Sequence, residues 1–200
     1  MMHDPRLTSP AAARNRQPIL EALQQRLPSE ASVLEIASGS GEHAVYCAAA
    51  QPGWRWLPSD PNPRALESIA AWRAAADLSN LRAPRQLDVG DDWPAEPFDA
   101  VVAINLLHVS PWTTTQALLA GAARTLAPGG ALFLYGPFKR GGRHTAASNA
   151  AFDDDLRRRN PHWGLRDLDA VVSEAERGGL SLEAILAMPA NNASILLRRA

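Results

Sequence analysis

A single cysteine, Cys47, stands in 200 residues, so no internal disulfide can form. No stretch approaches the ~20 uninterrupted apolar residues of a membrane-spanning helix, and no membrane partner is expected. Charge of one sign is also missing. Twenty Lys and Arg face 21 Asp and Glu, for a formal net charge of -1, without the basic stripe that a nucleic-acid binder needs. The one dense basic run, Arg157-Arg158-Arg159, follows Asp153-Asp154-Asp155 at i,i+4 spacing and is expected to form a solvated, self-paired helix face. Met1-Met2-His3-Asp4-Pro5-Arg6 has no apolar run behind its charges, so no secretory signal is expected, and the expected location is the cytoplasm. No metal site is expected either.

What is present fits one globular domain. Hydrophobic residues at 46% and charged residues at 20% are ordinary for such a fold, and the length suits one core better than two catalytic domains. Ile19, Leu20, Leu23 and Leu27 recur at helical spacing, with Pro18 at the first helical position, which predicts an N-terminal helical extension within residues 1–28. The first dozen residues are candidates for disorder.

Ser32 to Ala37 is short and mostly apolar and runs into Gly39-Ser40-Gly41, the pattern of a buried parallel strand entering a glycine turn, with a helix over 42–50 behind it. The alternation continues with strand 54–58, helix 63–76, and strands 85–89 and 98–106. A helix opened by Ser110 as N-cap and Pro111 as first residue runs to Leu126, and strand 131–135 follows Pro128-Gly129-Gly130. Helices over 149–159 and 165–177 precede strand-like runs at 180–188 and 194–199, whose five-residue link is too short for a crossover and makes them antiparallel. The expected class is α/β, a Rossmann-like seven-stranded, mostly parallel sheet with helices on both faces and a C-terminal antiparallel hairpin strand.

The chemistry concentrates at the ends of these strands. In Glu35-Ile36-Ala37-Ser38-Gly39-Ser40-Gly41 the glycines let the backbone approach a ligand, and the helix behind offers free N–H groups; such a turn also serves packing alone. A carboxylate inside an apolar strand is costly unless compensated, so Glu35 has either a structural partner or a cationic ligand. S-adenosylmethionine (SAM) carries an ammonium and a sulfonium, and suits such an acid better than a pyrophosphate does. Ser59-Asp60 ends the second strand about twenty residues on, where doubly wound folds hold ribose hydroxyls, although Asp60 also suits a helix N-cap. Asp88 with Val89 reads as an adenine contact or as a turn.

Asn105 and His108 stand at the end of the fourth strand, on the side where the cofactor's methyl group is expected. An imidazole titrates near neutral pH, which makes His108 either a candidate general base or a hydrogen-bonded structural residue. Tyr135 and Phe138 leave the fifth strand at the same rim. Asn191 and Asn192 return to it in the final turn, as substrate contacts or simple turn formers, and Trp163 sits in a polar-aromatic loop, 160–167, placed to close over the site. Asn105 is too far from Pro111-Trp112 for the compact Asn-Pro-Pro-aromatic motif of amino-group DNA methyltransferases, which counts against a nucleic-acid substrate.

The chain resembles, almost end to end, the methyltransferase-like protein 26 family. The resemblance rests on Arg14-Asn15 with Pro18-Ile19-Leu20, Leu34 to His43, Pro58-Ser59-Asp60, Asn105 to Trp112, Leu134 to Phe138, Ser148-Asn149 with Phe152-Asp153, and Met188 to Asn192. It implies a class I methyltransferase fold and SAM binding through Glu35 to Gly41 and Asp60, and it supplies no substrate. It also implies that the N-terminal extension, with Arg14 and Asn15, caps the cofactor site; a solvated Arg14 is the alternative. The expected function is methyl transfer from SAM, with S-adenosylhomocysteine as product, to a small molecule. Two alternatives stay open. Gly39-x-Gly41-x-x-Ala44 also satisfies the dinucleotide fingerprint of an NAD(P)-dependent oxidoreductase, and the lack of an unambiguous base leaves room for a non-catalytic SAM-binding or interaction protein.

Overall fold

The computed structural model describes residues 4–200; the part of the signal reading that rests on Met1-Met2-His3 lies outside the described residues. In chain order the elements are α1 (Pro10–Gln24), β1 (Ala31–Ile36), α2 (Glu42–Ala50), β2 (Trp54–Asp60), α3 (Pro63–Ala76), β3 (Arg85–Gln86) and β4 (Phe98–Ile104). After a 3-10 turn at Leu107–Val109 come α4 (Trp112–Thr125), β5 (Leu126–Gly136), β6 (Phe138–Arg140), β7 (Arg143–His144) and α5 (Ala147–Arg159). The chain ends with β8 (Arg166–Asp167), α6 (Leu168–Arg177), β9 (Leu180–Met188) and β10 (Asn192–Arg199). Among the described residues no helix is long and apolar enough to cross a membrane.

Seven strands form one sheet in the order β3-β2-β1-β4-β5-β10-β9. β1 pairs in parallel with β2 and β4, and β2 with β3. β10 is antiparallel to both β5 and β9, so the terminal hairpin inserts its last strand between its own first strand and β5. This is the expected mostly parallel α/β sheet. A second sheet of three short strands, β7-β6-β8, was not foreseen, because strands of two or three residues show no periodicity.

The chain divides into two compact units, one reaching Asp92 and including Phe98–Ala103, the other made of Trp93–Pro97 and Ile104–Ala200. In the first, Val33, Leu34, Ile36, Val101 and Val102 are buried, and the Trp54 and Trp56 rings meet at a tilt of 31° with 6.2 Å between centroids. In the second, Leu132 to Leu134 on β5 pack their buried side chains into the sheet beside Ile195 to Leu197 on β10.

Several expected boundaries move, each for a local reason. α1 starts eight residues before Pro18, which lies inside the helix; Ser9 is the N-cap, accepting from the Ala12 N–H, and Pro10 takes the early position that suits its missing N–H. Order therefore reaches into the first dozen residues. The third parallel strand stops at Gln86, so Asp88 lies beyond it. Ser110 does not cap α4: its hydroxyl turns back to the Leu106 carbonyl at 3.0 Å, and Pro111 is the N-cap position. β5 begins directly at Leu126 and contains Pro128-Gly129-Gly130, and α6 begins at Leu168 behind Asp167, which caps the N–H groups of Asp169 and Ala170.

Candidate functional site

Glu35 is the centre of the first unit. Its side chain is 1% exposed, and its Oε2 accepts from the Trp56 Nε1–H at 3.0 Å. Trp56 stands on β2 two residues before Pro58, the register partner of Glu35. Burial pushes the Glu35 carboxyl up to about 7, against the pull of the Trp56 and Ser38 hydrogen bonds and with a further push from Asp60. Among the described residues no cation contributes, so an indole supplies part of the compensation and the carboxylate remains suited to a positive ligand.

The turn that follows is fixed by backbone and hydroxyl locks. Ser38 N–H donates to Ser59 O at 2.8 Å, Ser59 N–H to Ser38 Oγ at 3.1 Å, and Ser59 Oγ to Glu35 O at 2.7 Å. Ser38 and Ser59, both buried, thus position the strand ends. Ala37 holds φ 56, a left-handed conformation that costs an alanine about 1–2 kcal/mol. Asp60 is no N-cap: its Oδ2 accepts from Gly39 N–H at 2.9 Å, its Oδ1 accepts from Asn62 N–H at 2.9 Å, and Asn62 caps α3. A Cβ at Gly39 would meet nothing within 4 Å, so the turn has an open face there, whereas one at Gly41 would lie 3.0 Å from Ile69 Cα.

Sequence reasoning missed the strap that secures this turn. Leu7 N–H donates to Ser68 Oγ at 2.8 Å, and that hydroxyl donates to Ser40 O at 2.8 Å. Glu42 Oε2 accepts from both Ser9 N–H and Ser40 Oγ. Asn15 is buried and meets His43 of α2 at 2.7 Å, while Arg14 is exposed. Asp88 is exposed and accepts from Gly90 N–H at 3.1 Å, in the manner of a turn residue, next to half-buried Val89.

In the second unit, Asn105 also adopts a left-handed φ of 57, with its N–H on Tyr135 O at 2.8 Å. His108 is 5% exposed, with its ring edge-on to Phe152. Gly136 is small for a reason, since a Cβ there would stand 3.3 Å from His108 Nδ1. Arg166 grips the turn around His108 by donating to the carbonyls of Leu107, Ser110 and His162. Burial, and then the Arg166 charge, lower the His108 pKa to about 4 and leave a neutral, weakly basic imidazole at physiological pH.

A cavity of about 360 Å³ in this unit brings together Phe138, Asn191 and Asn192 from the expected substrate set, with Arg140, Thr145 and Met188 added. Tyr135 and Trp163 do not line it, and Arg159 stacks on Trp163 at 5.3 Å. Ala190 and Asn191 both have left-handed φ, forming the hairpin turn, and buried Asn149 ties that turn to the start of α5 by donating to Asn191 O and Thr145 Oγ1, each at 3.0 Å. The acidic face of α5 is not simply solvated as expected. Asp153 is 2% exposed and accepts from Lys139, His144 and Leu165 N–H, with Arg157 at 3.3 Å.

Residues 6–199 match the family described as protein of unknown function (DUF938), and the chain belongs to that family. The fold is that of Rossmann-like class I methyltransferases. An O-methyltransferase family protein from Burkholderia thailandensis superposes with a TM-score of 0.81 at 19% identity, over 95% of this chain and 57% of its own. An O-methyltransferase family 2 protein from Planctomyces limnophilus, in complex with apigenin, gives 0.80 at 18% over 95% and 60%. Human N-acetylserotonin methyltransferase, in complex with SAM, gives 0.77 at 17% over 95% and 53%. The chain therefore spans a little over half the length of these structures.

Proposed function

We propose that the protein is a SAM-dependent methyltransferase acting on a small molecule, akin to methyltransferase-like protein 26 and working in the cytoplasm. The observation that carries the reading is the buried Glu35 carboxylate, without a cation among its charge partners, beside a strapped turn whose face at Gly39 is open. These residues fit SAM. Glu35 would hold the ammonium, and the Gly39 to Gly41 backbone the methionine carboxylate. Asp60, whose oxygens each accept one backbone N–H, keeps lone pairs for a ribose diol, and Asp88 with Val89 stands at the adenine end. When bound, SAM would supply an electrophilic methyl carbon to which an acceptor lone pair bonds while the C–S pair returns to sulfur, and a proton on the acceptor would pass to a base or to water.

Positioning of the acceptor, rather than proton abstraction, carries the rate. His108, whose buried imidazole is neutral at physiological pH and so in the form a general base needs, packs against Gly136 at the rim and stays the candidate base for an acceptor that carries a proton. The lowered basicity of that imidazole favours a second reading, a SAM-binding protein without transfer. Calorimetric titration with SAM tests the first step, and absence of binding at millimolar ligand overturns the proposal. Transfer of labelled methyl from SAM into a metabolite extract then separates enzyme from binder.

A further inference from the structure

The cavity in the second unit lies at the lower end of the ~300–1,000 Å³ that small-molecule sites span. Its walls are of two kinds. Phe138, Met188 and Ala193 are apolar, while Arg140, Thr145 and the Asn191-Asn192 pair are polar.

Arg140 is the charged side chain of the lining. Arg140 and Arg143 are register partners across the β6–β7 hairpin, so their side chains leave the same face, and like charges directly opposite each other repel by roughly 0.2–1 kcal/mol. The two acids that reach the turn of this hairpin hold it by backbone hydrogen bonds and pair with neither arginine. Asp167 accepts from Gly142, Asp169 and Ala170 N–H groups, and Asp169 accepts from Gly141 N–H. Lys139, the remaining cation of the hairpin, is paired with Asp153. Among the described residues neither Arg140 nor Arg143 has an ion-pair partner. Thr145 Oγ1 accepts from Asn149, which leaves its O–H to donate elsewhere.

We propose that this cavity binds a small organic carboxylate, with the carboxylate on the Arg140 guanidinium and the Thr145 hydroxyl and the apolar body between Phe138 and Met188. A guanidinium fork matches a carboxylate in a bidentate way, and the apolar walls favour an anion with a hydrocarbon body over an inorganic one. The binding of that molecule does not rest on the methyltransferase reading.

The sequence supplies a reporter. Methionines occur only at positions 1, 2 and 188, so carbon-13 labelling of methionine methyl groups puts one probe in the cavity wall. Phenylacetate and its neutral counterpart phenylacetamide are titrated to about 10 mM while the Met188 signal is followed by NMR. Phenylacetate is expected to shift it saturably and to bind at least about tenfold tighter than the amide; Arg140→Gln, at an exposed position, removes the difference, and Arg140→Lys keeps part of it. Equal binding of acid and amide, indifference to Arg140→Gln, or an unmoved Met188 signal overturns the proposal. SAM titrated into the same samples keeps the two readings apart. SAM binding with an unmoved Met188 removes the carboxylate site and leaves the cofactor reading, whereas carboxylate binding without SAM leaves the site and removes the cofactor reading.

Discussion

The Trp56 indole donates to the Glu35 carboxylate at 3.0 Å, so a neutral donor on the neighbouring strand is what the buried acid has in place of a cation. The Trp56 and Ser38 hydrogen bonds do not offset full burial, and the carboxyl stays raised to about 7. Between about pH 4.5 and 7 the folded, ligand-free protein keeps a proton that the unfolded chain has released, so the Glu35 contribution to stability falls as pH rises through that window. Glu35→Gln is expected to flatten this slope and to stabilise the free protein above pH 7 by about 1–3 kcal/mol. The same variant loses at least about tenfold in SAM affinity, because an amide cannot balance an ammonium. Chemical denaturation across pH, with calorimetry at pH 7.5, checks both; a variant that keeps the wild-type slope refutes the assignment.

Gly39 and Gly41 separate binding from folding. A methyl at Gly39 has open space around it and costs only the strain of φ 57, about 1–2 kcal/mol, but it enters the space assigned to the methionine end of SAM. Gly41→Ala adds a clash with the Ile69 backbone at 3.0 Å to a φ of 90 and should cost more stability. Gly39→Ala is expected to lose SAM binding while its melting temperature falls less than that of Gly41→Ala. Unchanged SAM affinity in Gly39→Ala would place the ligand elsewhere.

The contrast between these glycines shows what the sequence could and could not reveal. The strand-turn-helix around them was legible because buried parallel strands read as apolar runs and glycines mark turns, and α2 and α3 occupy the spans that their patterns predict. The two-residue strands β7 and β8 were illegible, and with them the hairpin that carries Arg140 and Arg143. Asp60 was legible as an acid at the end of the second strand, but its hold on Gly39 N–H was not, since that bond spans 21 residues. Asp153 was misjudged because i,i+4 arithmetic sees only its own helix, whereas Lys139, His144 and Leu165 come from other segments.

Asn149 is the residue that holds the cavity in shape. It is 5% exposed, and its amide joins Thr145 on one side to the Asn191 carbonyl on the other. Asn149→Ala leaves that carbonyl short of a donor, a loss of about 1–3 kcal/mol. The expected result is faster hydrogen exchange at Asn191 and Asn192 together with weaker phenylacetate binding and unchanged SAM binding. Equal loss of both ligands would mean global destabilisation instead.

Asp153 fastens the small sheet to α5, and its protonation should set the acid limit of the second unit. Burial alone would raise its pKa, but Lys139, His144 and the Leu165 N–H outweigh burial and hold the carboxyl well below the usual carboxylate range. Its stabilisation is therefore complete above about pH 4 and is lost as pH falls through the lower folded value. Asp153→Asn leaves Lys139, whose side chain is only 17% exposed, without its partner, and is expected to cost about 3 kcal/mol at neutral pH. Gly164→Ala attacks the same centre from the other side, because a Cβ there would stand 2.6 Å from Asp153 Oδ1 at a φ of 141. Both variants should release the Leu165 amide to exchange, and Asp153→Asn should also remove the acid-side slope in denaturation. A wild-type acid limb in Asp153→Asn would assign that limb to other carboxylates.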